Sequence, residues 1–352
     1  MRKKKTSVLL FVIVIFIILF LIIRPYYRFL THTLKISPFK TLLSLESLPS
    51  YNDQINILIL GIAGKDHDGP NLSDSITVAN YDFKTNKLLT ISLPRDIWSD
   101  TLEDKINSAY AYGEAKQKGG GLKLAKVEIQ SIVGMPIQYG AVIDFEKFKE
   151  LIDFLGGVDV KVERSFIDHD FPIAGKENDT CGGDLQYRCR YETVSFNKGS
   201  THMDGTAALK FVRSRHAQGE EGSDFARTKR QQKVLEAVKN KTAELVKSFD
   251  VSKLEKLYGV IDPLITRDIS NQQLAIIAKH IFLTRNFSQK QLALDSVLFE
   301  VPDYISHNGQ YVLVPKSANY HQIQSYIQCY KNAISQNQNT FAKCERLKNN
   351  SK

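Results

Sequence analysis

The sequence lacks the short motifs that identify many enzymes. Its 352 residues contain neither a G-x-S-x-G elbow nor H-E-x-x-H, which argues against an α/β-hydrolase and a zinc peptidase. It also lacks G-x-G-x-x-G and G-K-[ST], so no dinucleotide or P-loop site is expected. Cysteine is scarce at four residues, and their spacing does not fit a structural zinc site. No internal repeat is present.

A large excess of one charge is also lacking. The formal net charge of +9 comes partly from cations at the two ends of the chain. What remains is a mildly basic protein, far from the composition of a histone-like one. With 43% hydrophobic residues, the chain can bury one large core or two modest cores.

One long apolar run is present, SVLLFVIVIFIILFLII at residues 7–23. Such a helix rises about 25 Å, so the run predicts a membrane span at the short end of the usual range. A cleaved signal peptide is the alternative, but no small-x-small site follows the run. The cations at residues 2–5 predict a cytoplasmic N-terminus, with the rest of the chain outside the cell membrane.

The domain organisation follows from this anchor. We expect a cytoplasmic tail at 1–6, an anchor at 7–23, a stalk at 24–50, an extracytoplasmic domain at 51–335 and a polar tail at 336–352. The chain is expected to fray from Asn332 onward. Outside the membrane, disulfides are plausible in two places, Cys181 with Cys189 and Cys329 with Cys344.

The domain alternates between two patterns. Apolar runs such as QINILILGI and LLTISLP are typical of buried strands, and FEKFKELIDFLGG is typical of an amphipathic helix. This alternation predicts an α/β fold, a three-layer-like α/β sandwich with a mixed central sheet.

A basic helix start is the first sign of chemistry. In SDFARTKRQQ, a helix is predicted to begin near Ser223 or Asp224, yet three cations follow within two turns. A helix N-terminus favours anions, so a bound anion would stabilise this arrangement. Asp224, Arg227 and Gln231 share one helix face, with Arg230 beside it.

A second basic segment, KFVRSRH, precedes this helix. We expect a helix through Leu209 followed by a strand in which Arg213 and Arg215 point to the same side. The alternative is a solvated charge run with surface ion pairs. The matched spacing on both segments favours an oxyanion site, because arginine forks suit phosphate oxygens.

Carboxylates and a further arginine follow the predicted strands. Asp68 and Asp74 lie after the first strand, and Arg95 ends the third, at the sheet edge where α/β proteins bind ligands. One or two carboxylates with phosphate oxygens are the usual ligands of Mg²⁺, although loop capping is the ordinary role of such aspartates. Together with the basic segments, these residues predict a diphosphate pocket with a divalent metal.

A family resemblance rests on segments that follow one another along the chain: NILILGI, SDSITVANYD, LLTISLPRD, KINSAYAYG, FEKFKELIDFLGGVDV, MDGTAALKFVRSRH and DFARTKRQQ. In these segments, behind a single anchor, the chain resembles the LytR-CpsA-Psr family of membrane-anchored envelope proteins. VLVPKSANYHQIQSYI is similar to the closing segment of that family.

The resemblance implies a phosphotransferase of cell-wall assembly. Such a protein moves a glycopolymer from a polyprenyl (undecaprenyl) diphosphate carrier to a peptidoglycan sugar hydroxyl. It implies diphosphate binding by Arg95, Arg213, Arg215, Arg227 and Gln231. It implies catalytic roles for Asp74, Arg95 and Asp224, and a site for Mg²⁺ or Mn²⁺ at Asp74 and Asp68. Apolar helix residues such as Phe148 and Leu151 would line a polyprenyl tunnel.

Two departures from the family pattern and three alternatives remain. Leu72 stands where many members have an arginine, and either Asp66 or Asp68 could be the second metal ligand. One alternative is a polyprenyl diphosphate phosphatase, in which water replaces the sugar. The others are a regulator that binds DNA and a non-enzymatic glycan or lipid-carrier binding protein. No nucleic-acid partner is expected for a domain outside the membrane.

Overall fold

The computed structural model describes residues 2–44, 47–64, 69–176, 178–284, 287–295, 297–303, 307–317, 319–335 and 341–349. The helices are α1 Arg2–Arg28, α2 Pro38–Leu43, α3 Ala109–Lys116, α4 Gly121–Val133, α5 Phe145–Phe154, α6 Gly205–Arg213, α7 Asp224–Lys247, α8 Val251–Leu264, α9 Asn271–Leu283, α10 His321–Ser335 and α11 Phe341–Asn349. The strands are β1 Gln54–Ile62, β2 Ser73–Asp82, β3 Lys87–Leu93, β4 Trp98–Ser99, β5 Asp104–Lys105, β6 Tyr139–Asp144, β7 Val158–Val162, β8 Phe166–Pro172, β9 Tyr191–Phe196, β10 Gly199–Met203, β11 Ile265–Arg267, β12 Ser288–Ala293, β13 Phe299–Glu300 and β14 Val314–Pro315.

The centre of the fold is a six-stranded sheet in the order β11-β6-β1-β2-β3-β12. The pairs β1–β6 and β3–β12 are parallel, and the other neighbours are antiparallel. The sheet is therefore mixed, which confirms the predicted α/β class with a mixed central sheet.

Both faces of this sheet are covered. Along β1, Leu58 and Leu60 point into a large core shared with α3, α4 and α10, whereas Ile55 and Ile57 point to a smaller core with α9. Because strand side chains alternate between faces, the nearly continuous apolar run of β1 serves both cores at once.

A third core lies beside the sheet. It is built from β7 to β10 and α5 to α8, with Phe211, Ile152, Val160 and Met203 fully buried within it. This unit carries the basic segments singled out in the sequence, since α6 ends at Arg213 and α7 begins at Asp224.

The segment between the anchor and the domain is packed against the domain. A π-helical turn, Phe29–Thr33, extends α1. Among the described residues, one helical stretch is long and apolar enough to cross a membrane, and it covers Ile13–Thr33 of α1 and this extension. The Gln272 side chain of α9 accepts from the Ser37 amide and donates to the Thr41 hydroxyl at 2.7 and 2.8 Å. Residues predicted as a stalk thus include a helix, α2, held along α9.

The C-terminal end is also more ordered than expected. Ile334 of α10 is buried, and the Cys344 side chain of α11 is fully buried in the large core. A disulfide joins Cys329 to Cys344, and another joins Cys181 to Cys189, as the sequence suggested. The expectation that the chain frays from Asn332 is therefore wrong for residues 332–335 and 341–349, because the disulfide and apolar burial hold α11.

Candidate functional site

Asp74 occupies a β-bulge at one edge of the central sheet. Gly61 of β1 pairs with Ser75, whereas the next residue, Ile62, pairs with Ser73, so Asp74 is the unmatched residue of β2. A bulge redirects a side chain and is common beside active sites. Asp74 is accordingly exposed, as is Ser75, whereas Ser73 is buried.

Arg95 meets Asp74 at this edge. β3 ends at Leu93, and the Arg95 guanidinium donates to the Asp74 carboxylate. Asp96 lies 3.7 Å from the Arg95 Nε and accepts from the Lys105 Nζ at 2.9 Å. The side chains of Arg95 and Asp74 are 36% and 38% exposed, so their ion pair contributes little stability and can reorganise around a ligand.

The predicted metal site is described only in part. Asp66 and Asp68 lie outside the described residues. Asp74 supplies an exposed carboxylate of the kind that a hard divalent cation prefers. Next to it, the Ser73 hydroxyl is buried with no hydrogen-bond partner among the described residues, and a ligand oxygen or water at the bulge could satisfy it. The Asp74 carboxylate is an oxygen ligand of the type that Mg²⁺ and Mn²⁺ bind.

Arg213 and Arg215 do not lie on a strand. α6 continues past Leu209 to Arg213, and Ser214 begins an extended turn that contains Arg215. The expectation of a strand with both arginines on one face is wrong, because the apolar face of α6, including Phe211, continues into the third core and keeps the chain helical. Both arginines take part in polar or charged interactions.

A buried carboxylate that the sequence analysis missed holds this turn. Asp168 of β8 is fully buried. Its Oδ2 accepts from the Ser214 hydroxyl. The same oxygen accepts from the amides of Arg215 and His216, both at 3.1 Å. Its Oδ1 accepts from the Asp170 amide at 3.1 Å. Asp168 therefore fixes the backbone from which Arg215 projects.

The charge of Asp168 is stabilised by these bonds. Burial alone would raise the pKa of the carboxyl, but the hydrogen bond from Ser214 and three backbone amides outweigh it and lower the pKa. The sequence carried a signal for this residue, because Asp168 occupies the same inward side of β8 as Phe166. A charged residue at an inward strand position must be paired or fully hydrogen-bonded.

Arg230 is a structural residue of this network. Its Nε and Nη2 donate to the carbonyls of Phe211 and Ser214 at 2.9 and 2.7 Å, and its Nη1 binds Glu221. Its Cζ lies 4.7 Å from the centre of the Phe166 ring. Burial lowers its pKa, and Glu221 opposes that shift. Three cations lie in the first turns of α7, and for one of them, Arg230, the anion is the carboxylate of Glu221.

Arg227 and Gln231 lie on the face of α7 that continues into the core. They precede Val234 and Val238, both buried, at helical spacing. Arg227 is partly buried and Gln231 is exposed, so this face passes from the core to an open surface at the start of the helix. Ser223 caps α7, as predicted, and the side chain of Asp224 lies outside the described residues.

A cavity of about 300 Å³ lies on another side of the same turns. Its lining includes Ala226, Arg230 and Lys233 of α7, together with Phe166 and Phe211. Because these α7 residues are three or four positions apart, they share a face that differs from the face of Arg227 and Gln231. This cavity is therefore not the predicted diphosphate pocket.

Helix α5 links the sheet edge to the third core. It begins beside β1, where the ring of Phe145 lies so close to Gly61 that a Cβ on Gly61 would be 2.6 Å from the ring. At its other end, Asp153 accepts from the Gly205 amide that starts α6 at 2.7 Å. Leu151 is buried in the third core and Phe148 packs against it, and a polyprenyl tunnel beside them stays a prediction.

A family model and curated proteins are similar to this chain in sequence. The model of the LytR_cpsA_psr family matches residues 32–328. Regulatory protein MsrR of Staphylococcus aureus is 33% identical over 227 residues, which are 63% of this chain and 58% of that protein. The polyisoprenyl-teichoic acid–peptidoglycan teichoic acid transferase TagU of Bacillus anthracis is 30% identical over 198 residues, 55% of this chain and 54% of that protein.

A solved structure shares the fold. The crystal structure of a protein described as a transcriptional regulator from Enterococcus faecalis matches with a TM-score of 0.51 at 23% identity. The match covers 85% of this chain and 95% of that chain. In sequence, by contrast, the chain spans less than two thirds of the length of the two curated relatives.

Proposed function

We propose, because this chain belongs to the LytR-CpsA-Psr family, that it transfers a glycopolymer from a polyprenyl diphosphate carrier to a peptidoglycan sugar hydroxyl. A relative named as a teichoic acid transferase supports this reaction class. The observation that carries the proposal is the bulge that presents Asp74 to Arg95 at the sheet edge. An exposed, weakly held arginine–carboxylate pair can open to bind an oxyanion and a cation.

Arginine side chains would bind the two phosphates. Arg95 comes from the sheet edge and Arg213 from the last residue of α6. Arg215 comes from the turn fixed by Asp168, and Arg227 from the start of α7. Each charge-assisted hydrogen bond to an oxyanion contributes about 1.5–3 kcal/mol. Gln231 would donate one more hydrogen bond from the same face of α7 as Arg227. Positioning and charge stabilisation are the main requirements of phosphoryl transfer.

The bond changes follow from in-line attack. The acceptor hydroxyl oxygen forms a bond to the phosphorus next to the transferred sugar, and the bond from that phosphorus to the oxygen of the polyprenyl phosphate breaks. The leaving phosphate keeps the electron pair, and the arginines stabilise its charge. The hydroxyl proton passes to a carboxylate, for which Asp74 and Asp224 are the two candidates.

A divalent metal would assist this step. Asp74 would hold Mg²⁺ or Mn²⁺, with Asp68 or Asp66 as a second ligand, and the ion would neutralise charge on the diphosphate. Arg95 would exchange the Asp74 carboxylate for a phosphate oxygen of the substrate. Arg95 thus keeps the acidic side chain in place before substrate and binds substrate afterwards.

The proposal includes a topology. α1 would cross the cell membrane with its basic N-terminus in the cytoplasm, and the domain would lie outside, where peptidoglycan is located. A reporter fused to the C-terminus should be active only outside the cytoplasm. A reporter active in the cytoplasm would revive the alternative of a DNA-binding regulator.

The reaction can be tested with the full-length protein in lipid nanodiscs. It is incubated with a polyprenyl diphosphate-linked glycan, peptidoglycan fragments and Mg²⁺, and mass spectrometry measures a glycan–muropeptide adduct. Arg95→Ala and Arg227→Ala should each lower the rate about 10- to 150-fold, the equivalent of one lost charge-assisted bond. Arg188→Ala is the matched control, since Arg188 is exposed in the Cys181–Cys189 loop.

Two other outcomes would change the conclusion. Release of the glycan phosphate without any adduct, equally with and without acceptor, indicates the polyprenyl diphosphate phosphatase instead. Unchanged adduct formation in folded Arg95→Ala and Arg227→Ala proteins contradicts the assigned site.

A further inference from the structure

Large apolar side chains are exposed around the end of the anchor helix. Phe39 and Leu42 of α2 are 66% and 72% exposed, Phe249 after α7 is 68% exposed, and Phe282 and Leu283 at the end of α9 are 88% and 68% exposed. These five residues are called the apolar rim below. Exposed apolar groups that cluster in this way mark an interaction surface, whereas single ones do not.

Hydrogen bonds connect Phe249 to α1, and connect α9 to α2, which carries Phe39 and Leu42. The Tyr26 hydroxyl of α1 donates to the Phe249 carbonyl at 2.8 Å, although 223 residues separate them. Lys279 of α9 donates to the Leu42 carbonyl at 3.0 Å. Phe282 and Leu283 lie three and four residues after Lys279, so they share the helix face from which Lys279 reaches α2.

The position of Tyr26 sets the level of this surface. Tyr26 lies three residues past the apolar run that ends at Ile23, which is about 4.5 Å along a helix. Tyrosine at that depth is typical of the membrane–water interface. Phe249 is hydrogen-bonded to Tyr26. When α1 spans the bilayer, Phe249 therefore lies at the lipid headgroups or closer to the bilayer centre.

Lysines accompany the apolar rim. Lys40 follows Phe39, Lys247 lies two residues before Phe249, and Lys279 precedes Phe282 by one helical turn. Apolar side chains that enter the acyl boundary, with cations at the headgroups, are the pattern of a surface that lies on an anionic bilayer. The charge and the continuity with α1 favour lipid over another protein.

We propose that the apolar rim is a membrane-seating surface, which inserts into the leaflet from which α1 emerges and holds the domain against the bilayer. The proposal rests on the membrane anchoring of α1. It does not depend on the transferase reaction, so a failure of either can be recognised separately.

Depth measurements on the full-length protein test this proposal. Leu42→Cys, Phe249→Cys and Phe282→Cys proteins are spin-labelled in nanodiscs of phosphatidylcholine and phosphatidylglycerol that hold one copy each. The four native cysteines are disulfide-bonded and do not compete for the label. Oxygen concentrates in lipid and a nickel chelate stays in water, so the ratio of label accessibility to oxygen and to nickel reports immersion. Val127→Cys is the matched control, because Val127 is 64% exposed on α4, across the sheet from α9.

We expect an oxygen-to-nickel ratio several-fold higher at all three rim positions than at Val127. A ratio at any rim position equal to that at Val127 overturns the proposal of a single seated face. A high ratio that occurs only in discs with two copies also overturns it, because the apolar rim would then bind a second copy of the chain. Because all labelled side chains are exposed, the substitutions leave the packed cores intact.

Discussion

Replacement of Asp168 by asparagine removes the charge that holds the arginine-bearing turn while keeping the side-chain shape. The asparagine amide can place either its oxygen or its nitrogen at the position of Oδ2. With the oxygen there, the hydrogen bonds from Ser214, Arg215 and His216 remain, but their acceptor is neutral. Each of these three bonds then weakens by about 1 kcal/mol, because a hydrogen bond to a charged group is stronger than a neutral one. The turn should lose about 3 kcal/mol of local stability.

Hydrogen exchange followed by mass spectrometry measures this loss directly. The amides of Arg215 and His216 should exchange about 150-fold faster in Asp168→Asn, which is the equivalent of about 3 kcal/mol. Asp170→Asn is the matched control, since Asp170 is an exposed acid two residues along the same strand. Adduct formation should fall in Asp168→Asn and persist in Asp170→Asn if the turn positions Arg215 for catalysis.

The pH dependence provides an internal check. The folded state lowers the pKa of Asp168, so its stabilising effect is present above the ordinary pKa of about 4 and is lost as the pH falls through the folded value. The difference in exchange between the wild type and Asp168→Asn should therefore disappear in acid. Equal exchange of the two proteins at neutral pH would refute the role assigned to this carboxylate.

Two further predictions concern other parts of the fold. Gly61→Ala should lower the free energy of unfolding, measured by thermal denaturation, by about 1–3 kcal/mol, because the new Cβ would collide with the Phe145 ring. Gly259→Ala is the control: it lies on an open face of α8, so it should raise the free energy of unfolding by up to about 1 kcal/mol. If the two substitutions have equal effects, the close packing of α5 on the bulge is wrong. Burial raises the pKa of Tyr320 from 10.0 to about 12, so the stabilising contribution of Tyr320 is full below pH 10 and falls by about 1.4 kcal/mol per pH unit up to about pH 12. Burial also raises the pKa of Tyr326, so Tyr320→Phe should reduce the slope of alkaline denaturation by about 1.4 kcal/mol per pH unit and leave the rest, and a slope equal to that of the wild type contradicts the assignment.

The buried parts of the fold could be predicted from the sequence. Apolar runs predict β1 and β3, because strands of a sheet that is covered on both faces have apolar side chains on both sides. Helix α5 shows a clear amphipathic pattern, and the start of α7 is marked by the Ser223 cap. In these elements local preference and tertiary burial agree, so pattern and structure coincide.

Elements without an apolar signal were missed. β12 reads SQKQLA, with mostly exposed side chains, and its place in the central sheet depends on pairing with β3. The stretch at residues 297–302 is apolar, yet among its residues Phe299–Glu300 form a strand, which pairs in a separate two-stranded sheet. Strand pairing depends on distant chain segments, and composition alone does not reveal it.

The candidate site shows the same division. Motif position identified Asp74 and Arg95, and the structure places them in contact. The bulge itself, the depth of Arg230 and the role of Asp168 were not foreseen, because each depends on how segments far apart in sequence meet. A basic helix start indicates which cations are present, but only packing determines that Arg230 points inward.

The two edges of the central sheet have a consequence for how copies of this protein meet at high local concentration. One edge strand, β11, has only three residues, and the other, β12, carries the exposed Lys290 among polar neighbours. Short or charged edges give an incoming strand little to pair with. Neighbouring copies therefore gain little by joining their sheets edge to edge, and the protein can accumulate without forming continuous β-structure.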